Sequence, residues 1–196
     1  MFKRNKHKIY TMEPNFFKIR EAILLTIFLS DKQKTSTTQY DIVKTIFLAD
    51  KAHLNNYGRP ITYDNYVAMK HGPVPSACYD FLKGDSKKLA QIGGALWSLR
   101  GAPEIAPGAI AYFSAARQVD QDVLTESDIE EISSAFVVVK SLGFKQIRKL
   151  THEDPAYVDA WEDESSRKQF PMSYALLFES VNDAQAETVS LASKHQ

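Results

Sequence analysis

Apolar residues recur at three- and four-residue intervals over several stretches of the chain, and this spacing predicts a mostly helical protein. After Pro14, the positions Phe16, Phe17, Ile23, Leu24, Ile27 and Phe28 define a first helix expected at the centre of the core. Ser36 followed by Gln39 fits a capping box opening a second helix through Tyr40, Ile42, Val43, Ile46, Phe47 and Leu54. Gly58 supplies a left-handed stop for it, and Pro60 blocks its continuation. The pattern then changes. Tyr66, Val67, Ala68 and Met69 are rich in strand formers and read as a short extended segment. Gly72, Pro73 and Pro75 make the next residues a stiff, kinked connection, because glycine admits unusual backbone angles and proline fixes its own. Pro75 suits the start of a helix whose apolar face is Ala77, Cys78, Phe81 and Leu82, ending at Gly84.

The remaining elements are read the same way. A short helix and a strand are expected between Leu89 and Leu99, and a second strand over Ala109, Ile110, Ala111, Tyr112 and Phe113, so that the two pair as a hairpin. Thr125 with Asp128 caps a helix through Ile129, Ile132, Phe136 and Val139, stopped by Gly143; another short helix runs from Phe144 to Leu150. Pro171 or Ser173 opens the last expected helix, with Tyr174, Leu177, Phe178 and Val181 on its packing face. The expected fold class is mainly α with a small β element, an α+β arrangement in which one compact helical domain carries a short hairpin or small sheet. Residues 1–12 read as a flexible basic lead, 13–182 as the domain, and 183–196 as a polar tail.

Composition narrows the possible functions. With 196 residues, 44% hydrophobic and 24% charged, the chain can bury one substantial core. The 24 basic residues balance the 24 acidic ones, so no overall field draws the protein to nucleic acid or to an anionic membrane. One cysteine excludes an intrachain disulfide. The longest apolar run, from Ala22 to Leu29, is too short to span a bilayer and lacks a following cleavage pattern, so a cytoplasmic location is expected.

No arrangement of residues makes a strong case for catalysis. Cys78 with His71 has the residue types of a thiol nucleophile and base, but Cys78 lies on an apolar helix face, where cysteine usually packs as a small hydrophobe. Asp50, His53, His71 and His152 supply metal-ligand types without the spacing of a zinc motif, and no glycine-rich phosphate loop is present. No cofactor is expected. The basic run Lys140, Lys145, Arg148 and Lys149 is flanked by Glu130, Glu131, Glu153 and Asp154, the composition of a solvated face. Asp50 falls on the apolar side of its helix and needs a partner there, with Arg59, Lys70 and His71 as candidates and His53 on roughly the same face. Tyr57, Tyr63, Tyr66 and Tyr79 gather around the stretch from Tyr63 to Leu82 and suit either a core edge or a protein-binding surface.

Several ordered blocks carry a family resemblance. Residues from Ile46 to Lys51, His53-Leu54, Tyr57-Gly58-Arg59-Pro60-Ile61-Thr62, Tyr66-Val67-Ala68 and His71-Gly72-Pro73-Val74-Pro75-Ser76 come first. Leu150-Thr151-His152-Glu153-Asp154-Pro155 with Ala160-Trp161 lies at a distance after them. Together they resemble the Panacea domain of SocA-like antitoxins, a family often described as phage-associated. The chain departs from the usual pattern in its basic lead and in having Ala156-Tyr157 where a tryptophan often follows the proline. The resemblance implies a helical, non-enzymatic antitoxin that binds and neutralises a protein toxin encoded beside it. Some relatives act instead as adaptors that hand the toxin to a cytoplasmic protease. A metal-dependent hydrolase around Asp50, His53 and His71 is a remote alternative, and a homo-oligomer is left open. On this resemblance Asp50, His53, Lys70, His71, Gly72, Pro73, Pro75 and Tyr79 form a centre that binds toxin or organises the loop that does.

Overall fold

Two long helices near the start of the chain form the base on which the later elements pack. The computed structural model describes residues 6–100, 112–120, 122–163 and 165–196. Helix α1 (Phe16–Lys32) begins at Asn15, whose side chain accepts the Lys18 N–H, and buries Ile19, Ala22, Ile23, Leu24 and Ile27 completely. Phe17 and Phe28, expected on the same face, are exposed instead; Arg20 lies 5.1 Å over the Phe17 ring. Helix α2 (Gln39–Tyr57) has its cap at Thr38, two residues after the expected one. Thr38 accepts the Asp41 N–H while Asp41 accepts the Thr38 N–H, which closes a complete capping box, and Gly58 ends the helix in the left-handed conformation.

The chain then forms β1 (Tyr66–Met69) and β2 (Gly72–Pro75), an antiparallel hairpin with Lys70 and His71 at its turn. The expected kinked connection is therefore the second strand. Its prolines fit because the strand lies at the edge of the sheet, where Pro73 and Pro75 have no second neighbour needing an N–H. Pro75 is both the last strand residue and the cap of α3 (Ser76–Leu82), after which comes α4 (Ser86–Ala90). A second hairpin joins β3 (Trp97–Arg100) to β4 (Tyr112–Ala115) with Leu99 opposite Phe113. The expected strand positions Ala109, Ile110 and Ala111 lie outside the described residues.

Helix α5 (Glu126–His152) is capped by Thr125 and Asp128 and broken at Gly143, whose φ of 66° and ψ of 177° turn the chain between two helical halves. It packs along α2 more extensively than any other pair of elements does. Next in the chain are helix α6 (Pro155–Ala160) and β5 (Phe170–Pro171), which pairs with β1 and gives the sheet order β2-β1-β5. The last expected helix is only a 3-10 turn at Tyr174–Leu176. Asn55 explains this: its side chain donates to the Leu177 carbonyl and accepts the Glu179 N–H, bonds that replace those of a continuing helix.

Both ends of the described chain are ordered by packing. Residues 6–12 were expected to be a solvated lead, yet Tyr10 and Met12 are buried and the Tyr10 hydroxyl donates to Asp183 at 2.8 Å. The expected polar tail contains α7 (Asp183–Ala192), with Ala186 and Val189 buried against the same core cluster. The apolar periodicity of α7 is too sparse to mark a helix, and its apolar face is completed by residues far away in sequence. Among the described residues, no helix is long and apolar enough to cross a membrane.

Candidate functional site

The first hairpin is held by two buried carboxylates. Asp50, on α2, points into the loop that leads to β1. One of its oxygens accepts the N–H groups of Ile61 and Thr62, at 2.8 and 2.9 Å, and the other accepts the hydroxyls of Thr62 and Tyr66. Burial pushes its pKa up, and these four donors oppose that rise without cancelling it. None of the cationic partners considered from the sequence reaches it. Asp64 plays a matching part where the chain leaves the hairpin: its two oxygens accept the Ala77 and Cys78 N–H groups, each at 2.9 Å. Pro75 has no side chain able to cap α3, so Asp64 caps it across the loop. Burial raises the Asp64 carboxyl to about 7 against the pull of those two N–H bonds.

His53 sits apart from this loop. Its Nδ1 donates to the Arg59 carbonyl at 2.8 Å, which leaves Nε2 facing the Ser127 hydroxyl at 3.0 Å and Asp128 at 3.1 Å. Asp128 also receives Lys18 at 2.6 Å and Arg59 at 3.0 Å. Burial pushes the Asp128 carboxyl up, but the bonds from His53 and Lys18 more than offset it and hold its pKa well below the usual range. This buried network ties α1, α2 and α5 together. Asp50, His53 and His71 do not converge, and among the described residues no three metal-ligating side chains do. Cys78 is fully buried, and burial drives its thiol well above the ordinary value, an environment that suppresses the thiolate a nucleophile needs.

Gly72 allows the hairpin to lie against the helices. Its φ is +100°, and a Cβ there would stand 2.7 Å from Thr151 Oγ1 and 2.8 Å from Lys44 Nζ. Lys44 was not singled out by its sequence. It is 1% exposed, its ammonium donates to the Pro73 carbonyl at 2.6 Å, and burial lowers its pKa to about 7.

The turn residues Lys70 and His71 are exposed between two concavities. The smaller, about 240 Å³, brings Lys70 and His71 together with Tyr40, Val43, Val74 and Tyr79. The larger, about 890 Å³, is lined by Lys70, Arg148, Arg167 and Lys168 and by the aromatic rings of Tyr157 and Trp161. Those two rings are stacked at 5.8 Å with 12° between their planes, and His152 packs on Tyr157 at 4.4 Å. The Tyr157 hydroxyl donates to the Met69 carbonyl at 3.0 Å, fixing the aromatic wall to β1.

A family model for the SocA-like antitoxin, Panacea domain matches residues 42–157, more than half of the chain. The chain belongs to this family. The match begins in α2, covers both hairpins and ends in α6, so the Panacea domain contains Asp50, Asp64, Lys44, the turn and the aromatic residue Tyr157. Neither curated proteins nor solved structures give a match to the chain.

The expected site residues divide into two groups. Lys70, His71 and Tyr79 share the smaller cavity of the Panacea domain, whereas Asp50, His53, Gly72, Pro73 and Pro75 lie beneath or behind the surface. Of the larger cavity, His152 and Trp161 belonged to a recognised sequence block and Arg148 to the basic run. Arg167 and Lys168 carried no sequence signal; the pairing of β5 with β1 brings them there.

Proposed function

We propose that this Panacea-domain protein is an antitoxin that binds a toxic protein encoded beside it and blocks it stoichiometrically, in the cytoplasm and without catalytic turnover. The family match over residues 42–157 carries this reading. The placement of side chains supports it. Lys70, His71 and Tyr79 line an accessible concavity of about 240 Å³, and the buried carboxylates beneath make the hairpin a rigid platform. In this reading Lys70, His71 and Tyr79 contact the toxin, while Asp50, His53, Gly72, Pro73 and Pro75 organise the surface that presents them.

The test is co-expression with the product of the adjacent open reading frame, scoring growth and then copurification. The reading expects a neighbour that is toxic alone, harmless beside this protein, and recovered in a stable complex with it. Rescue with loss of the neighbour, dependent on a cytoplasmic protease, assigns an adaptor role instead; a harmless neighbour removes the antitoxin reading. His71→Ala is expected to reduce protection more than it reduces thermal stability, and equal loss of both would assign His71 to folding alone.

A further inference from the structure

The chain is neutral overall and pairs many of its cations internally. Lys18 meets Asp128, Lys51 meets Asp154, Arg117 meets Glu21, Lys88 meets Asp80 and Lys140 meets Asp41. The larger cavity breaks this rule. Lys70 from the β1–β2 turn, Arg148 from the second half of α5, and Arg167 and Lys168 from the segment before β5 all line it. Among the described residues none of the four has an ion-pair partner. One carboxylate, Asp163, joins the described lining, and it accepts the Trp161 indole N–H at 2.6 Å. Four cations facing one space raise the local potential and favour an anionic occupant.

We infer that this cavity receives an acidic, extended segment of the partner protein, its carboxylates on the four cations and an apolar side chain against the wall of Trp161, Val158 and Met69. This rests on the antitoxin reading and names the part of the partner that is recognised. Three observations favour a peptide over a nucleotide. The cations come from three separate segments, as suits charges distributed along a chain. Tyr157 is 2% exposed and already packs against His152 and Trp161, so its ring offers no open face to a base. The sequence provides no glycine-rich phosphate loop. The volume, about 890 Å³, is within the range of sites that enclose a drug-sized ligand and far exceeds what one carboxylate needs. The aromatic wall is ordered before binding, which lowers the entropic cost of association.

The experiment uses the full chain in two assays. In the first, a fluorescent peptide of alternating glutamate and leucine is titrated by anisotropy, with its lysine-and-leucine counterpart and ATP as competitors. The expected result is saturable binding that weakens at least tenfold in Arg167→Glu/Lys168→Glu and in Arg148→Glu, and fades as salt rises. Both substitutions at 167 and 168 are at exposed positions, so that variant keeps the test valid if Arg148→Glu fails to fold. Lys32→Glu/Lys194→Glu, a pair of exposed positions outside the cavity lining, applies the same change in net charge and is expected to bind like wild type. No peptide binding, binding insensitive to the cavity variants, or displacement by ATP at lower concentration than by unlabelled acidic peptide overturns the inference. In the second assay the same variants are co-expressed with the neighbouring gene product. If wild type protects and Arg167→Glu/Lys168→Glu protects equally, the cavity is not the seat of the partner; if wild type itself gives no protection, the antitoxin reading is what fails.

Discussion

Lys44 makes the stability of the hairpin's buried side depend on pH above neutrality. Its ammonium is enclosed by Tyr40, whose ring centre lies 5.3 Å away, by the Pro73 carbonyl, and by Thr151 across the Gly72 backbone. Among the described residues no carboxylate offsets the loss of water, and burial brings the pKa from 10.5 to about 7. A depressed lysine binds its proton more weakly in the folded state than in the unfolded one. Stability therefore rises with pH across the interval from about 7 to 10.5, where the unfolded chain holds a proton that the folded chain has released. The full difference is about 5 kcal/mol at roughly 1.4 kcal/mol per unit, and about 2–3 kcal/mol of it is gained between pH 7 and 9. Cys78 acts in the opposite sense above its ordinary value, because its thiol stays protonated when folded, so the wild-type curve alone is not decisive. Urea denaturation of wild type and Lys44→Met at pH 7, 8 and 9 isolates the lysine, since Cys78 is common to both. The stability of wild type minus that of the variant is expected to rise by about 1 kcal/mol per pH unit. A difference that stays flat within about 0.3 kcal/mol refutes a neutralising buried lysine and means that water or relaxation keeps Lys44 charged.

Further substitutions test the supports of the same hairpin and the buried network that ties the helices together. Asp50→Ala leaves the Ile61 and Thr62 N–H groups and the hydroxyls of Thr62 and Tyr66 without their acceptor in a fully buried place, and is expected to lower stability by about 3 kcal/mol or more in urea unfolding; a melting curve like that of wild type would show that the loop does not depend on it. Gly72→Ala combines a positive φ with contacts of 2.7 and 2.8 Å and is expected to cost about 2–4 kcal/mol, whereas Gly93→Ala, also at positive φ but with open space, is expected to cost only about 1 kcal/mol. For Asp128 the sign is that of a depressed acid: its stabilisation is present above about pH 4 and is lost as pH falls further. Asp128→Asn is therefore expected to be less stable at pH 7 and to show a flatter acid limb, and equal acid slopes in the two proteins would contradict the network assignment.

How much of this was legible in the sequence depended on how local each cause was. Thr125 and Asp128 are three residues apart and satisfy one another's N–H groups, so their helix start could be read directly. Gly58 ends its helix for an equally local reason. At the second helix the local signal misled: Ser36 with Gln39 has the right spacing, but Thr38 with Asp41 closes the box two residues later. Asp50 was legible as a buried carboxylate in need of partners, but their identity was not, because a charge attracts attention to cations while four neutral donors lay along the following loop. Lys44 gave no signal at all; its burial is imposed by β2 and by the far end of α5.

That division has a consequence for how the surface can change. The groups that hold the hairpin, Asp50, Asp64 and Gly72, are buried and satisfied by specific atoms, so replacing any of them leaves donors unpaired or forces atoms together. Lys70, Arg167 and Lys168, by contrast, are exposed and hold no ion-pair partner among the described residues, and substitutions at such positions usually move stability by no more than about 0.5 kcal/mol. The platform and the charges it displays are therefore energetically separable. Reversing the charge of the cavity changes which partner is attracted without requiring a new core, because complementarity there is set by side chains that the fold does not need.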